Sequence, residues 1–147
     1  MLIRCKSTTL SDDHVAALGG SIHPQLYDVT ELTTYLVLGL TFYIASRVNG
    51  SGVYVEMEDD FGLLVSVPLF LFDIIDGRPS QYWVSRFREG GSFALWPPSF
   101  FGECHRDRLS EGVADVRRNY EIVRAQLREE ADMWGDARPN SAAVTVP

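Results

Sequence analysis

Apolar residues alternate with other residues along most of the chain between Tyr35 and Trp96, and short clusters of glycine, aspartate, asparagine and proline interrupt the alternation. A period of two is typical of β-strands, whose successive side chains point to opposite faces of a sheet. The interruptions are too short for the crossovers that parallel strands need, so neighbouring strands should be antiparallel. We therefore expect a bent antiparallel sheet of about five meandering strands, with a small open barrel as an alternative arrangement.

The same alternation predicts where the strands lie. Pro68 cannot donate to a sheet ladder and therefore marks an edge, a bulge or the end of a strand. The segment that contains Tyr54, Glu56 and Glu58 predicts a strand that is half exposed, with one polar face. The predicted strands, each bounded by turn-forming residues, are 35–45, 53–58, 63–69, 82–88 and 92–96.

After Pro97-Pro98 the period changes, and apolar residues recur at spacings of three and four, which is typical of one face of a helix. This pattern predicts a single long C-terminal helix that packs on the sheet. Arg117 and Arg124 fall on its other, solvated face. The apolar stripe consists of Leu109, Val113, Val116, Tyr120, Val123 and Leu127.

The chain of 147 residues has the length of one ordinary domain. We expect a single α+β domain over residues 1–136, because sheet and helix signals follow one another without a second core. Ser11 predicts the cap of a short helix over 12–18. Residues 137–147 show no periodicity and predict a mobile tail.

The net charge of −7, from 20 acidic and 13 basic residues, disfavours direct binding to nucleic acid, which depends on lysine and arginine. It favours a basic protein partner instead. The apolar runs are near ten residues long, whereas a transmembrane helix needs about 20. The two cysteines form no disulfide framework. Together these features predict a cytoplasmic protein without membrane contact.

Catalytic and metal-binding patterns are absent from the sequence. The candidate metal ligands Cys5, His14, His23, Cys104 and His105 show neither a C-x-x-C nor an H-x-x-x-H spacing, so we expect no metal and no cofactor. The carboxylates that flank Cys104 do not favour a reactive thiolate. No G-x-S-x-G or G-x-G-x-x-G motif is present. We therefore expect no catalytic residue.

Acidic residues gather around the second predicted strand and its turns, beside an aromatic side chain. A basic partner would match such a surface. The predicted partner-binding residues are Tyr54, Glu56, Glu58, Asp59, Asp60, Asp73 and Asp76. Three alternatives stay open: the acids only keep the protein soluble and guard a sheet edge, they form the carboxylate site of a small hydrolase or transferase around Glu56–Asp60, or the sheet is a ligand- or peptide-sensing module.

Four segments together give the chain its likeness to known proteins: 35–42, 68–77, 82–83 and 96–100, followed by an acid-bearing C-terminal helix. Taken whole, the chain resembles small bacterial immunity proteins of polymorphic toxin systems, including contact-dependent inhibition systems. The resemblance implies a cytoplasmic, non-enzymatic toxin inhibitor. Such a protein binds its cognate toxin domain and blocks the active site or the access of substrate. Many of these toxins are nucleases with basic channels, which an acidic inhibitor would suit.

Overall fold

The computed structural model describes residues 1–19, 26–46 and 50–136. Strands and helices of the described residues are β1 (Leu2–Cys5), α1 (Asp12–Ala17), β2 (Thr34–Leu36), β3 (Gly39–Ser46), β4 (Gly50–Glu58), β5 (Leu64–Pro68), β6 (Phe72–Asp76), β7 (Val84–Arg88), β8 (Ser92–Trp96), α2 (His105–Ser110) and α3 (Ala114–Asp136). Short 3-10 turns cover Leu69–Leu71 and Pro98–Phe101. The α+β class is confirmed.

The described strands form two open antiparallel sheets, so the barrel alternative is wrong. The larger sheet has the order β5-β4-β3-β8-β7 and contains the predicted 53–58 and 63–69 strands and the 82–96 hairpin. Short turns connect β4 to β5 and β7 to β8, as the glycine and aspartate clusters predicted. This sheet has β5 and β7 as its opposite edges.

The smaller sheet, of order β2-β1-β6, was not predicted. Its strands β1 and β6 have four and five residues, too few for a clear period of two. The predicted 35–45 strand is in fact divided, since β2 pairs with β1 whereas β3 pairs with β4 and β8. Between them the Leu38 amide donates to the Glu56 carbonyl at 2.7 Å. Val37 and Leu38 are buried where the chain passes from one sheet to the other.

The predicted long C-terminal helix is confirmed as α3, but the apolar stripe begins before it, on α2, and this separation has a local cause. Gly112 has a φ of +75°, a left-handed conformation that glycine adopts without strain. The chain therefore turns between α2 and α3. Of the predicted stripe, Val116, Tyr120 and Leu127 are buried, whereas Leu109 is half-buried. The stripe thus packs as expected, but on two helices.

The short N-terminal helix agrees with its predicted cap. The Ser11 hydroxyl accepts a hydrogen bond from the His14 amide, and the His14 ring accepts one from the Ser11 amide. The predicted tail, 137–147, lies outside the described residues.

Candidate functional site

The polar face of β4 is buried, so the expectation that it is half exposed is wrong. Tyr54 is 5% exposed and Glu56 is 3% exposed. Glu58 is half-buried. Arginines on the two C-terminal helices cover these carboxylates, which is why a strand with charged residues can lie inside the protein.

Glu56 is a buried carboxylate, and both of its oxygens are bonded. Oε1 accepts hydrogen bonds from the hydroxyls of Thr41 and Ser66, at 2.8 and 3.1 Å. Oε2 accepts one from a guanidinium nitrogen of Arg106 on α2. Burial raises the pKa of Glu56, and the charge of Arg106 opposes that rise. The carboxylate thus anchors α2 to the sheet.

Glu58 anchors α3 in the same way. Its Oε1 accepts hydrogen bonds from the Tyr120 hydroxyl and from Arg124, each at 2.9 Å. Arg124 also pairs with Glu121 at 2.8 Å. The prediction that Arg124 lies on a solvated face is therefore wrong, because this side chain spans from the helix to the sheet.

Asp59 and Asp60 lie at the surface, in the turn between β4 and β5. Oδ1 of Asp59 accepts hydrogen bonds from the amides of Phe61 and Leu63, both at 2.9 Å. Asp60 accepts bonds from Tyr35 at 2.6 Å and from the Thr30 hydroxyl at 2.7 Å. These hydrogen bonds lower the pKa of Asp60, so it is ionised at neutral pH.

The Asp60 bonds join the β4–β5 turn to the loop that precedes β2. The Asp60 amide also donates to the Asp28 carbonyl at 2.9 Å. We call the two joined segments, residues 28–33 and 59–63, the acidic corner. It carries four carboxylates, those of Asp28, Glu31, Asp59 and Asp60.

Large apolar side chains are also exposed at the acidic corner. Phe61 is 75% exposed at the tip of the turn, and Leu32 is 80% exposed on the facing loop. Leu63 is exposed as well. Leu32 has a φ of +65°, which is uncommon for a residue other than glycine and costs backbone strain. Exposed apolar groups ringed by polar ones are typical of interaction sites.

Asp73 and Asp76 lie apart from this corner, on β6 in the smaller sheet. Asp73 is exposed and forms a loose ion pair with Lys6 at 3.7 Å. Asp76 pairs with the Arg78 guanidinium, which lowers the pKa of Asp76 to about 2. Of the predicted acidic residues, only Asp59 and Asp60 belong to the acidic corner. The predicted acidic residues therefore do not share one surface.

A cleft of about 320 Å³ lies between the larger sheet and the segment that leads into α2. Trp96, Phe100, Glu56, His105 and Arg88 contribute to its walls. Sequence reasoning missed this cleft, because its residues are far apart in the chain and no motif connects them. Cys104, which is exposed, also lines it.

Among the described residues, no group of three or more histidine, cysteine, aspartate or glutamate side chains is arranged to hold a metal ion. None of the helices in the described part of the chain is long and apolar enough to cross a bilayer. A scan of family models, a search of curated proteins and a search of solved structures each found no match to the chain.

Proposed function

We propose that this chain is a non-catalytic binding protein, an immunity protein that acts in the bacterial cytoplasm and neutralises a cognate toxin domain. The observation that carries the proposal is the acidic corner, where Phe61 and Leu32 stand exposed among four carboxylates. Aromatic anchors surrounded by charge are typical of the residues that dominate binding energy at protein interfaces.

The corner also has the rigidity that tight binding favours. The bonds from Tyr35 and Thr30 to Asp60 fix the two loops relative to each other, and the Asp59 carboxylate fixes the turn that presents Phe61. Fixing these loops before association reduces the entropy lost on binding. With a net charge of −7, the chain suits a basic partner such as a nuclease domain.

Burial of Tyr54 and Glu56 changes which residues we assign to the interface. We propose that Asp28, Glu31, Asp59 and Asp60 supply the charge of the interface. Their carboxylates would occupy positions that substrate phosphates take in a basic channel of the toxin.

The test is a protection experiment in bacteria that express the toxin domain encoded beside this chain's gene. The variant Asp28→Lys/Glu31→Lys reverses two exposed charges whose side chains make no hydrogen bond or ion pair with the described residues. Glu129→Lys, an exposed charge on α3, is the matched control. Protection by the control and its loss in the double variant support the proposal. Full protection by the double variant, or a neighbouring gene that encodes no toxin, contradicts it.

A second candidate function, a small hydrolase or transferase, rests on the raised pKa of Glu56 in a cleft, since perturbed carboxylates are common in active sites. Its hydrogen bonds to Thr41, Ser66 and Arg106 leave neither oxygen unbonded, which favours an anchoring role. Glu56→Gln separates the two functions. A folded Glu56→Gln variant that still protects cells supports binding, whereas a folded variant that fails to protect supports catalysis.

A further inference from the structure

The cleft beside α2 has the size of a small-molecule site, and both aromatic and charged side chains line it. Its volume of about 320 Å³ lies at the lower end of the range for ligand pockets, roughly 300–1,000 Å³. Aromatic rings of Tyr43, Trp96 and Phe100 line it. Two of its polar groups are already satisfied, because Glu56 binds Arg106 and the Trp96 indole donates to Thr41 at 3.1 Å.

The Arg88 guanidinium lies at this cleft, where burial raises the pKa of the Glu56 carboxyl and the charge of Arg88, like that of Arg106, opposes that rise. The central carbon of the Arg88 guanidinium lies over the Trp96 ring, 4.4 Å from the ring centre, within the range of a cation–π interaction. The guanidinium forms no hydrogen bond or ion pair with the described residues. A guanidinium presents a planar fork of N–H donors that matches a carboxylate.

His105 supplies a second polar group without a partner. The residue is nine-tenths buried and stacks on Phe100 at 4.8 Å. Its Nε2 is enclosed and has no hydrogen-bond partner among the described residues. A buried nitrogen left unpaired costs free energy. Burial, with Arg106 and Arg108 nearby, lowers the pKa of His105, so the ring is neutral at neutral pH.

We propose that the cleft binds a small organic acid with a flat apolar body. The carboxylate lies on the Arg88 guanidinium and the body lies among Tyr43, Trp96 and Phe100, with His105 as part of the wall. An acid fits better than a cation, because Glu56 is already paired, whereas Arg88 is oriented beside the aromatic surface. Asp107, the other carboxylate at the cleft, is exposed on the first turn of α2.

Benzoate is the probe for this proposal, with benzamide and benzylamine as its neutral and cationic analogues. Binding is followed by NMR through the Trp96 indole N–H and the His105 ring resonances. We expect saturable shifts with benzoate at millimolar concentrations, and weaker binding of both analogues. Absence of saturable shifts, or preferred binding of benzylamine, would overturn the proposal.

Arg88→Gln should weaken benzoate binding by about tenfold or more, as expected for the loss of a charge-assisted pair. The variant should fold, because Arg88 is exposed on the edge strand β7. Arg86→Gln is the matched control, since Arg86 lies two residues away and stacks on Phe101 at 4.7 Å. Equal benzoate affinity in wild type and Arg88→Gln contradicts the proposal, as does an equal loss in both variants.

Discussion

The hydroxyl of Tyr35 donates a hydrogen bond to Oδ1 of Asp60 over 2.6 Å, and it accepts one from the amide of Thr30. Tyr35 thus connects β2 in the smaller sheet to the turn between β4 and β5 in the larger sheet. The acidic corner therefore rests in part on one buried tyrosine, and removal of that hydroxyl should loosen its two loops, which the Thr30 and Asp28 bonds to Asp60 still join.

Tyr35→Phe should lower the free energy of unfolding by about 0.5–1.5 kcal/mol, the usual contribution of an intramolecular hydrogen bond. It should also raise the pKa of Asp60 towards its ordinary value, since Tyr35 is the main cause of the lowering. Urea unfolding and NMR titration measure the two effects. Tyr82→Phe is the control, because the Tyr82 hydroxyl forms no hydrogen bond with the described residues. An unchanged Asp60 pKa would show that Tyr35 does not hold the corner.

The pH dependence of this variant has a definite sign. A carboxyl group whose pKa is lower in the folded state stabilises the protein above its unfolded pKa, and this contribution is lost as the pH falls. The wild-type protein should therefore lose more stability than Tyr35→Phe on acidification through the ordinary range of an aspartate pKa. A greater loss in the variant contradicts this account.

Removal of Arg106 should make stability depend more strongly on pH. The pKa of Glu56 is raised in the folded state, so the folded protein retains a proton that the unfolded chain releases above about pH 4.5. Stability therefore falls as the pH rises from that value towards the folded pKa. Arg106→Ala should raise this pKa further and steepen the fall, as measured by urea unfolding between about pH 4.5 and 7.5. Arg108→Ala, which loses only a 3.6 Å pair with exposed Asp115, should follow the wild-type curve.

Alanine substitutions of two arginines on α3 should have different effects on the free energy of unfolding. Arg124→Ala should cost about 1 kcal/mol, because it removes the bond to Glu58, although partial exposure of the pair weakens it. Arg117→Ala, at an exposed position, should change stability by no more than about 0.5 kcal/mol. Equal effects in thermal unfolding would contradict the anchoring role of Glu58.

The buried stripe of α3 should contribute to stability rather than to binding. Leu127 is 2% exposed, so Leu127→Ala should cost about 2–5 kcal/mol. Ile122, exposed on the same helix, is the control, and Ile122→Ala should cost no more than about 0.5 kcal/mol. A Leu127→Ala variant with an unchanged melting temperature would contradict the packing described for α3.

Local features of the fold could be predicted from the sequence. The hairpin of β7 and β8 has its turn residues between its own strands, and the apolar stripe lies within a few helical turns. Each of these structures therefore depends on residues that are close together in the chain, which a sequence pattern can predict. The position of Gly112 inside the stripe was visible, but only its φ of +75° shows that it ends one helix. The division of the predicted 35–45 strand into β2 and β3 could not be predicted, because an apolar run has the same pattern whichever sheet it joins.

The burial of Glu56 could not be predicted, because it depends on a partner 50 residues away in the chain. An alternating strand predicts a polar face in water, and the rule fails where a helix brings an arginine to that face. Phe61 lies in a turn that was predicted, yet its exposure depends on how Asp59 folds that turn. Of the predicted acidic surface, Asp59 and Asp60 remain in the proposed interface.

The central claim is tested most directly by the affinity of Phe61→Ala for the toxin domain that we propose as the partner. Phe87→Ala is the matched control, since Phe87 is 81% exposed on β7, the opposite edge of the larger sheet. Isothermal titration calorimetry should show a dissociation constant at least about 30-fold higher for Phe61→Ala, as for a residue that dominates an interface, and near wild type for Phe87→Ala. Wild-type affinity in Phe61→Ala would contradict the account, as would an equal loss of affinity in Phe87→Ala.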